Sequence, residues 1–258
     1  MNKEEKISSL FLSDSYEGRN KHTYSSDNPT RDWLDRFKNK IKIQFPNLYV
    51  WLIKIVSPVY DVCSPKKFLS QYDMKSDVIL NVGAGTFCYH KEIINLDIRK
   101  YDSVDIVGDI TTLDMLENSV DAIVNIAMLE HVPNPADFVK KFHYVLKKGG
   151  KAFIFIPFMQ GYHASPDDYQ RYTFEGIKNL CSEFSIEKLI VGGPTSGLLW
   201  VLQEWLSLFF SFGSVRLYKI IFPLFYILSP LKVIDAILSK HPYAKNIATG
   251  FTIIIKKE

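Results

Sequence analysis

Three short clusters hold the residues best suited to chemistry. The first is Gly83-Ala84-Gly85, which closes the apolar run VILNV. A buried strand ending in two glycines lets the backbone turn sharply and approach a ligand with no Cβ in the way. The dinucleotide fingerprint needs a third glycine at position 88, where Cys88 stands, so a nicotinamide or flavin cofactor is disfavoured. Further on, Asp97 ends the run INLDI. A carboxylate at the tip of a second strand can accept hydrogen bonds from both hydroxyls of a ribose. Asp109 ends VDIVGDI at the tip of a third, where it can accept from an exocyclic amine such as that of adenine.

The second cluster is VNIAMLEHVPNP, which carries Glu130-His131, and the third is HASPDDYQRYT over 163–173. His131 and His163 are the histidines in these segments, and a neutral imidazole near its reference pKa suits removal of a proton from an acceptor. Asp168 and Arg171, flanked by Tyr169 and Tyr172, make a polar, aromatic site suited to a sugar. The same pair could instead hold the loop as an internal ion pair.

These clusters need strands to end beside one another. The runs DVILNV, INLDI, VDIVGD, VDAIVNIA, KAFIFIPF and FSIEKLIV read as buried strands. Between the later ones sit amphipathic helices. In NPADFVKKFHYVLKKGG, the residues Phe138, Phe142, Val145 and Leu146 form a helical stripe, and Gly149-Gly150 is expected to end the helix. Strands alternating with helices imply a doubly wound, mostly parallel α/β sheet with ligands at the carboxyl ends of its strands.

The rest of the chain divides by composition. Residues 1–28 are polar and aperiodic and are expected to form a flexible leader. A basic and apolar helical arm follows over 29–75, with seven basic residues and one acid, Asp61, between Arg36 and Lys67. The ligand-binding core spans 76–193. An apolar helical insertion over 194–246 is rich in Trp, Phe and Tyr, and 247–258 supplies a last, β-branched strand. The uncharged stretches Leu189 to Gln203 and Ile220 to Leu231 fall short of the ~20 apolar residues of a spanning helix, so no transmembrane segment is expected.

Composition narrows the classes further. The 258 residues carry a formal charge of +3, too little excess for a nucleic-acid partner. With 47% hydrophobic residues the chain has ample material for a core. The three cysteines, Cys63, Cys88 and Cys181, form no C-x-x-C pair, which points to a reducing compartment. No secretory signal is visible in the opening residues.

The order glycine turn, Asp97, Asp109, LEHVPNP and VLKKGGKAFIFIP resembles the class I S-adenosylmethionine-dependent methyltransferases, specifically the type 11 group. The resemblance covers roughly 76–192 and the last strand. It implies a Rossmann-like, seven-stranded sheet of order 3-2-1-4-5-7-6 with the final strand antiparallel. It also implies S-adenosyl-L-methionine as cofactor, held by Asn81, Gly83, Ala84, Gly85, Asp97, Ile98, Asp109, Ile110, Asn125 and Ala127. Where the family has Asp or Glu, this chain has Asn81, which can hydrogen-bond the cofactor's amino-acid end but brings no charge to its ammonium. Between Gly85 and Asp97 there is room for about two helical turns. The stretch P-x-D-Y-x-R-Y-T looks like a signature shared by type 11 members associated with cell-surface polysaccharide biosynthesis. The E-x-x-E-H metal pattern of certain small-RNA 2′-O-methyltransferases would need Glu at position 127. Ala127 stands there, so no metal is expected.

The expected activity is therefore methyl transfer to a polar acceptor, a hydroxyl of a sugar or cell-surface glycan intermediate, with His131 or His163 as base and Asp168, Tyr169, Arg171 and Tyr172 against the acceptor. Two other readings stand beside it: methylation of a lipid or quinone head group, and a non-catalytic cofactor-binding partner subunit, which the uncharged Asn81 would suit. The expected location is the cytoplasm, at the inner face of the membrane. The aromatic insertion is open to three partners, namely lipid, a second copy in a homodimer, or the core itself.

Overall fold

The structure, a computed structural model, describes residues 1–12, 44–45, 55–60, 63–164 and 167–258. Most of the expected basic arm, over 29–43 and 46–54, therefore lies outside the described residues. Seven strands form one sheet: β1 (Ile79–Val82), β2 (Ile94–Asp97), β3 (Ile106–Val107), β4 (Val120–Ile126), β5 (Leu146–Pro157), β6 (Ser185–Val191) and β7 (Gly250–Lys256). Their order is β3-β2-β1-β4-β5-β7-β6, the order the resemblance implies. Strand β7 runs antiparallel to both β5 and β6, and the remaining pairs are parallel. Because β1 is covered on both faces, all four of its residues are buried, hence its unbroken apolar character apart from Asn81.

Helices flank the sheet unevenly. On one face α3 (Pro135–Val145) buries Val139, Phe142 and Val145, and α4 (Phe174–Leu180) buries Ile177. These join one large core with Leu80, Val82, Ile94, Ile123, Ile154 and Phe251. On the other face the short α2 (Pro65–Leu69) packs Phe68 and Leu69 on Ile79, Ala122, Val124 and Phe153. The helix α3 stops at Val145, four residues before the glycine pair expected to end it. Leu146 already pairs with Val120 in the sheet, and Gly149, at φ 77°, sits within β5 where its register against β4 shifts.

Two expectations are corrected here. The segment between Gly85 and Asp97 holds turns and strand β2 but no helix. Its backbone closes locally, with Phe87 N–H on the Ala84 carbonyl and Ile93 N–H on that of His90. The leader over 1–28 is not loose at its start. Helix α1 (Lys3–Ser8) has an Asn2–Glu5 capping box, and Leu10 and Phe11 enter the main core beside Ile106, Ile110 and Met115. Lys6 is wholly buried, yet its Nζ donates to the carbonyls of Met74 (2.6 Å) and Asp77 (2.8 Å), so the charge is solvated by backbone. Residues 13–28 lie outside the described residues.

The insertion between β6 and β7 is helical, as expected. It comprises α5 (Pro194–Ser211), α6 (Val215–Ile221), a 3-10 segment over Phe222–Ile234 and α7 (Asp235–Leu238). Asp235, fully buried, caps α5 by accepting from Thr195 N–H and Ser196 N–H, each at 2.7 Å. Among the described residues one helical run, Val215–Leu238, is long and apolar enough to cross a membrane. It exceeds the uncharged stretch read from the sequence because Lys219 and Lys232 fall inside the same run.

Candidate active site

The glycine turn sits where the sequence places it, at the carboxyl end of β1. Gly83 and Gly85 adopt φ of 72° and 54°, which a side chain would strain. Gly83 is also pressed against β4's exit: a Cβ there would come within 2.5 Å of Met128 Cγ. Beside Gly85 a Cβ would meet nothing within 4 Å, so the turn is open on that side. Gly85 N–H donates to Asp97 Oδ2 at 2.8 Å, and Arg99 N–H donates to Asp97 Oδ1 at 2.8 Å. Each carboxylate oxygen thus keeps acceptor capacity for a ribose hydroxyl, and the turn and the acid are held in register.

The neighbouring residues divide into lining and support. Asp109 Oδ1 accepts from both the N–H and the hydroxyl of Thr111, at 2.9 and 2.8 Å, a turn that fixes the side chain just past β3. Ala84 and Ile110 are buried, and Ile98 is half-buried beyond β2. Asn81 is directed sideways within the sheet, its amide donating to Asn95 Oδ1 (3.0 Å) and the Phe87 carbonyl (3.2 Å). It ties β1 to β2 and to the turn. Asn125 does the same on the other side, its Nδ2 donating to the Val82 carbonyl at 3.0 Å. Its Oδ1 is buried without a partner among the described residues. Ala127 takes φ 50° as the chain leaves β4. An open glycine turn, a fixed carboxylate with spare lone pairs and an orphaned amide oxygen fit an adenosine-bearing cofactor.

Beyond Ala127, a single 3-10 turn, Leu129–His131, carries Glu130 and His131. The loop after β5 is stitched to it. Tyr169 N–H donates to the Glu130 carbonyl (2.8 Å), Gln170 Nε2 to the Val132 carbonyl (2.8 Å), and His131 Nδ1 lies 2.6 Å from the Asp167 carbonyl. That closure brings the two candidate bases together. The rings of His131 and His163 meet edge to face at 5.2 Å, and each Nε2 is 3.7 Å from Glu130 Oε1. The facing Glu130 carboxylate raises the pKa of His163, with help from the Gly161 carbonyl and Asp168, against burial and Arg171, which lower it. Glu130 is the member of this cluster that sequence reasoning did not single out as functional. Its adjacency to His131 was visible, but its complete burial was not.

Asp168 and Arg171 form the internal pair. The Asp168 side chain is 1% exposed and is bound by both terminal nitrogens of Arg171 and by His163 N–H. The guanidinium lowers the Asp168 carboxyl to about 2. Arg171 also donates to the carbonyls of Gln160, Gly161 and Gln170, so its whole fork is spent on the loop. Tyr169 is exposed at 54%, whereas Tyr172 is half-buried against the core, its hydroxyl pushed up by burial. Of the four candidate acceptor residues, Tyr169 is the most accessible.

Residues 82–154 match the family model described as Methyltransferase domain. No curated protein matches the chain. Among solved structures, it is similar to Haemonchus contortus phosphoethanolamine N-methyltransferase 2, solved with phosphomonomethylethanolamine and S-adenosylhomocysteine, at 14% identity and TM-score 0.46. The match covers 70% of this chain and 48% of that one, so the chain spans about half the length of that enzyme. A SAM-dependent methyltransferase from Methanosarcina mazei is similar at 14% identity and TM-score 0.42, over 74% of this chain and 96% of that one.

Proposed function

We propose that this chain, which carries a class I S-adenosylmethionine-dependent methyltransferase domain, methylates a hydroxyl on a sugar or cell-surface glycan intermediate. The observation that carries this reading is the convergence of Glu130, His131 and His163 at the carboxyl ends of β4 and β5, beside the glycine turn. When bound, S-adenosylmethionine supplies an electrophilic methyl group. Asp97 would hold its ribose, Asp109 its adenine amine, the Gly83–Gly85 backbone its linker, and Asn125 Oδ1 would accept from its polar end. In the acceptor O–H becomes O–CH3 as the methyl–sulfur bond would break with its pair left on sulfur, releasing S-adenosylhomocysteine, and the hydroxyl proton goes to Nε2 of His131 or His163. The Glu130 carboxylate stabilises the imidazolium so formed. Asp168 and Arg171 position His163 by fixing the backbone on either side of it, while Tyr169 offers a stacking face to the sugar.

The test is transfer of labelled methyl groups from S-adenosylmethionine into fractionated acceptor extracts. Label is expected in a hydroxyl-bearing glycan fraction, and wild-type transfer should fall sharply in His163→Ala with cofactor affinity retained. Label confined to amine-bearing lipids would contradict the acceptor class.

A refinement concerns place. Helix α5 buries Gln203, Ser207 and Ser211 and exposes Trp205, Leu208 and Phe209, each more than half exposed. Apolar side chains turned outward and polar ones inward suit a lipid-facing surface, with aromatic rings at the interface. This favours a lipid-linked acceptor presented at the inner face of a membrane, with the basic arm drawn to anionic lipid. Vesicle sedimentation tests it: binding should need anionic lipid and weaken with salt. A protein that stays in the supernatant and runs as a stable dimer would assign the aromatic face to a second copy.

A further inference from the structure

Glu130 sets charge against burial more sharply than any other described side chain. Its side chain is wholly buried, and neither carboxylate oxygen has a hydrogen-bond partner among the described residues. What faces it are two ring nitrogens, Nε2 of His131 and Nε2 of His163, each 3.7 Å from Oε1. That separation is too long for a hydrogen bond. Each ring is anchored from behind: His131 Nδ1 lies 2.6 Å from the Asp167 carbonyl and His163 Nδ1 2.9 Å from that of Gly161. A carbonyl can only accept, so a neutral ring held this way carries its hydrogen on Nδ1 and turns an Nε2 lone pair inward; at His163 the 2.9 Å carbonyl contact is shorter than the 3.3 Å approach of Arg171 Nη2, which can only donate. A carboxylate and two lone pairs then converge with no cation between them.

We propose that Glu130, His131 and His163 hold a divalent transition-metal ion whose open coordination positions face the acceptor. The three donor atoms lie within 4.8 Å of one another. Bonds of about 2.0–2.2 Å to a common ion place neighbouring donors roughly 3–3.5 Å apart, a few tenths of an ångström tighter than the present 3.7 Å. Two imidazoles and one carboxylate select zinc, iron or manganese over calcium or magnesium, which prefer oxygen. The supporting carbonyls are the kind of partner that orients metal-bound histidines. Ala127 denies the chain the first donor of the E-x-x-E-H pattern. The third donor instead comes from the loop after β5, which Tyr169 and Gln170 stitch to the Glu130 turn.

The role of the ion rests on the hydroxyl-acceptor reading above. Bound to the acceptor oxygen, the ion makes that hydroxyl more acidic. The O–H bond then breaks with its electron pair left on oxygen and its proton passed to solvent. With the ion bound, the two rings are occupied as ligands, so solvent replaces their Nε2 atoms as the proton acceptor described above for the ion-free site.

The experiment uses the full chain after chelator treatment, titrated with Co2+ and followed by visible absorption, then with Zn2+ in competition. One saturating equivalent is expected. Glu130→Gln and His163→Ala should each weaken uptake by more than the roughly 10–100-fold that loss of a supporting partner costs. His241→Ala, remote in the insertion, should leave uptake unchanged. Absence of saturable uptake, or uptake that survives both ligand substitutions in folded protein, overturns the site. Calorimetry with S-adenosylmethionine on the same preparations separates the two claims. Cofactor binding without ion uptake discards the ion and keeps the methyltransferase reading. Ion uptake with cofactor binding but no hydroxyl methylation keeps the ion and discards that acceptor.

Discussion

Helices α3 and α5 are built to opposite rules within one chain. In α3 the buried positions are Pro135, Val139, Phe142 and Val145, while Asp137, Lys140 and Tyr144 are exposed. In α5 the buried positions include Gln203, Ser207 and Ser211, and the outer face carries Trp205, Leu208, Phe209 and Phe210. Gln203 donates across to the Phe225 carbonyl and to Ser229, which donates in turn to the Val56 carbonyl. Apolar burial holds the first helix against water, and hydrogen bonds hold the second to its neighbours. The contrast fits the proposal that the insertion, unlike the sheet domain, meets an apolar exterior.

Substitution can break that contrast directly. Phe142→Ala removes a fully buried ring and should cost about 3–5 kcal/mol of unfolding free energy in denaturant titration. Phe209→Ala, at 57% exposure, should change stability by less than about 0.5 kcal/mol and instead reduce vesicle binding. Equal losses of stability from both would mean that the insertion is ordinary core.

The next effect is on the cofactor. Asp97→Ala leaves Gly85 N–H without its carboxylate and removes the acceptor proposed for the ribose. Affinity for S-adenosylmethionine should fall by roughly 1.5–3 kcal/mol, about tenfold to a hundredfold, with the fold retained. Unchanged affinity by calorimetry would remove Asp97 from the binding site. It would also leave the open side of Gly85 unexplained.

The smallest effect concerns acid stability. The Asp168 carboxyl sits at about 2 against an ordinary 3.8, because Arg171 binds its charged form. Its contribution is present above pH 3.8 and is lost as pH falls through about 2. Asp168→Asn should flatten the pH dependence of unfolding in that window and leave it unchanged at neutral pH. An unaltered slope would mean that the pair does not hold the loop.

Much of the sheet was legible because each strand is a short apolar run, and the family resemblance supplied their order. The residues of the glycine turn and Asp97 were legible for the same reason: they stand where strands end. Longer-range facts were not. Leu10 and Phe11 fall in a leader that reads as polar and aperiodic, and their docking depends on pairing with Met115 and Leu116, about a hundred residues away. His131 and His163 were each named, but no spacing rule joins them. Only the closure of the β5 loop on the Glu130 turn does so. The sequence left Arg171 open to a sugar or to an internal pair with Asp168, and its donors are taken by nearby carbonyls and Asp168. The polar stripe of α5 was within reach, since Gln203, Ser207 and Ser211 recur every fourth residue inside an apolar run.

The central claim is that the strand ends of this sheet deliver a methyl group to a glycan hydroxyl. Its most direct test is to incubate the full chain with methyl-labelled S-adenosylmethionine and anionic vesicles loaded with a lipid-linked glycan fraction, then release and separate the sugars. The account predicts label in an O-methyl ether on the sugar, dependent on intact His131 and His163. Label on the lipid or on an amine, or none despite measurable cofactor binding, would contradict it.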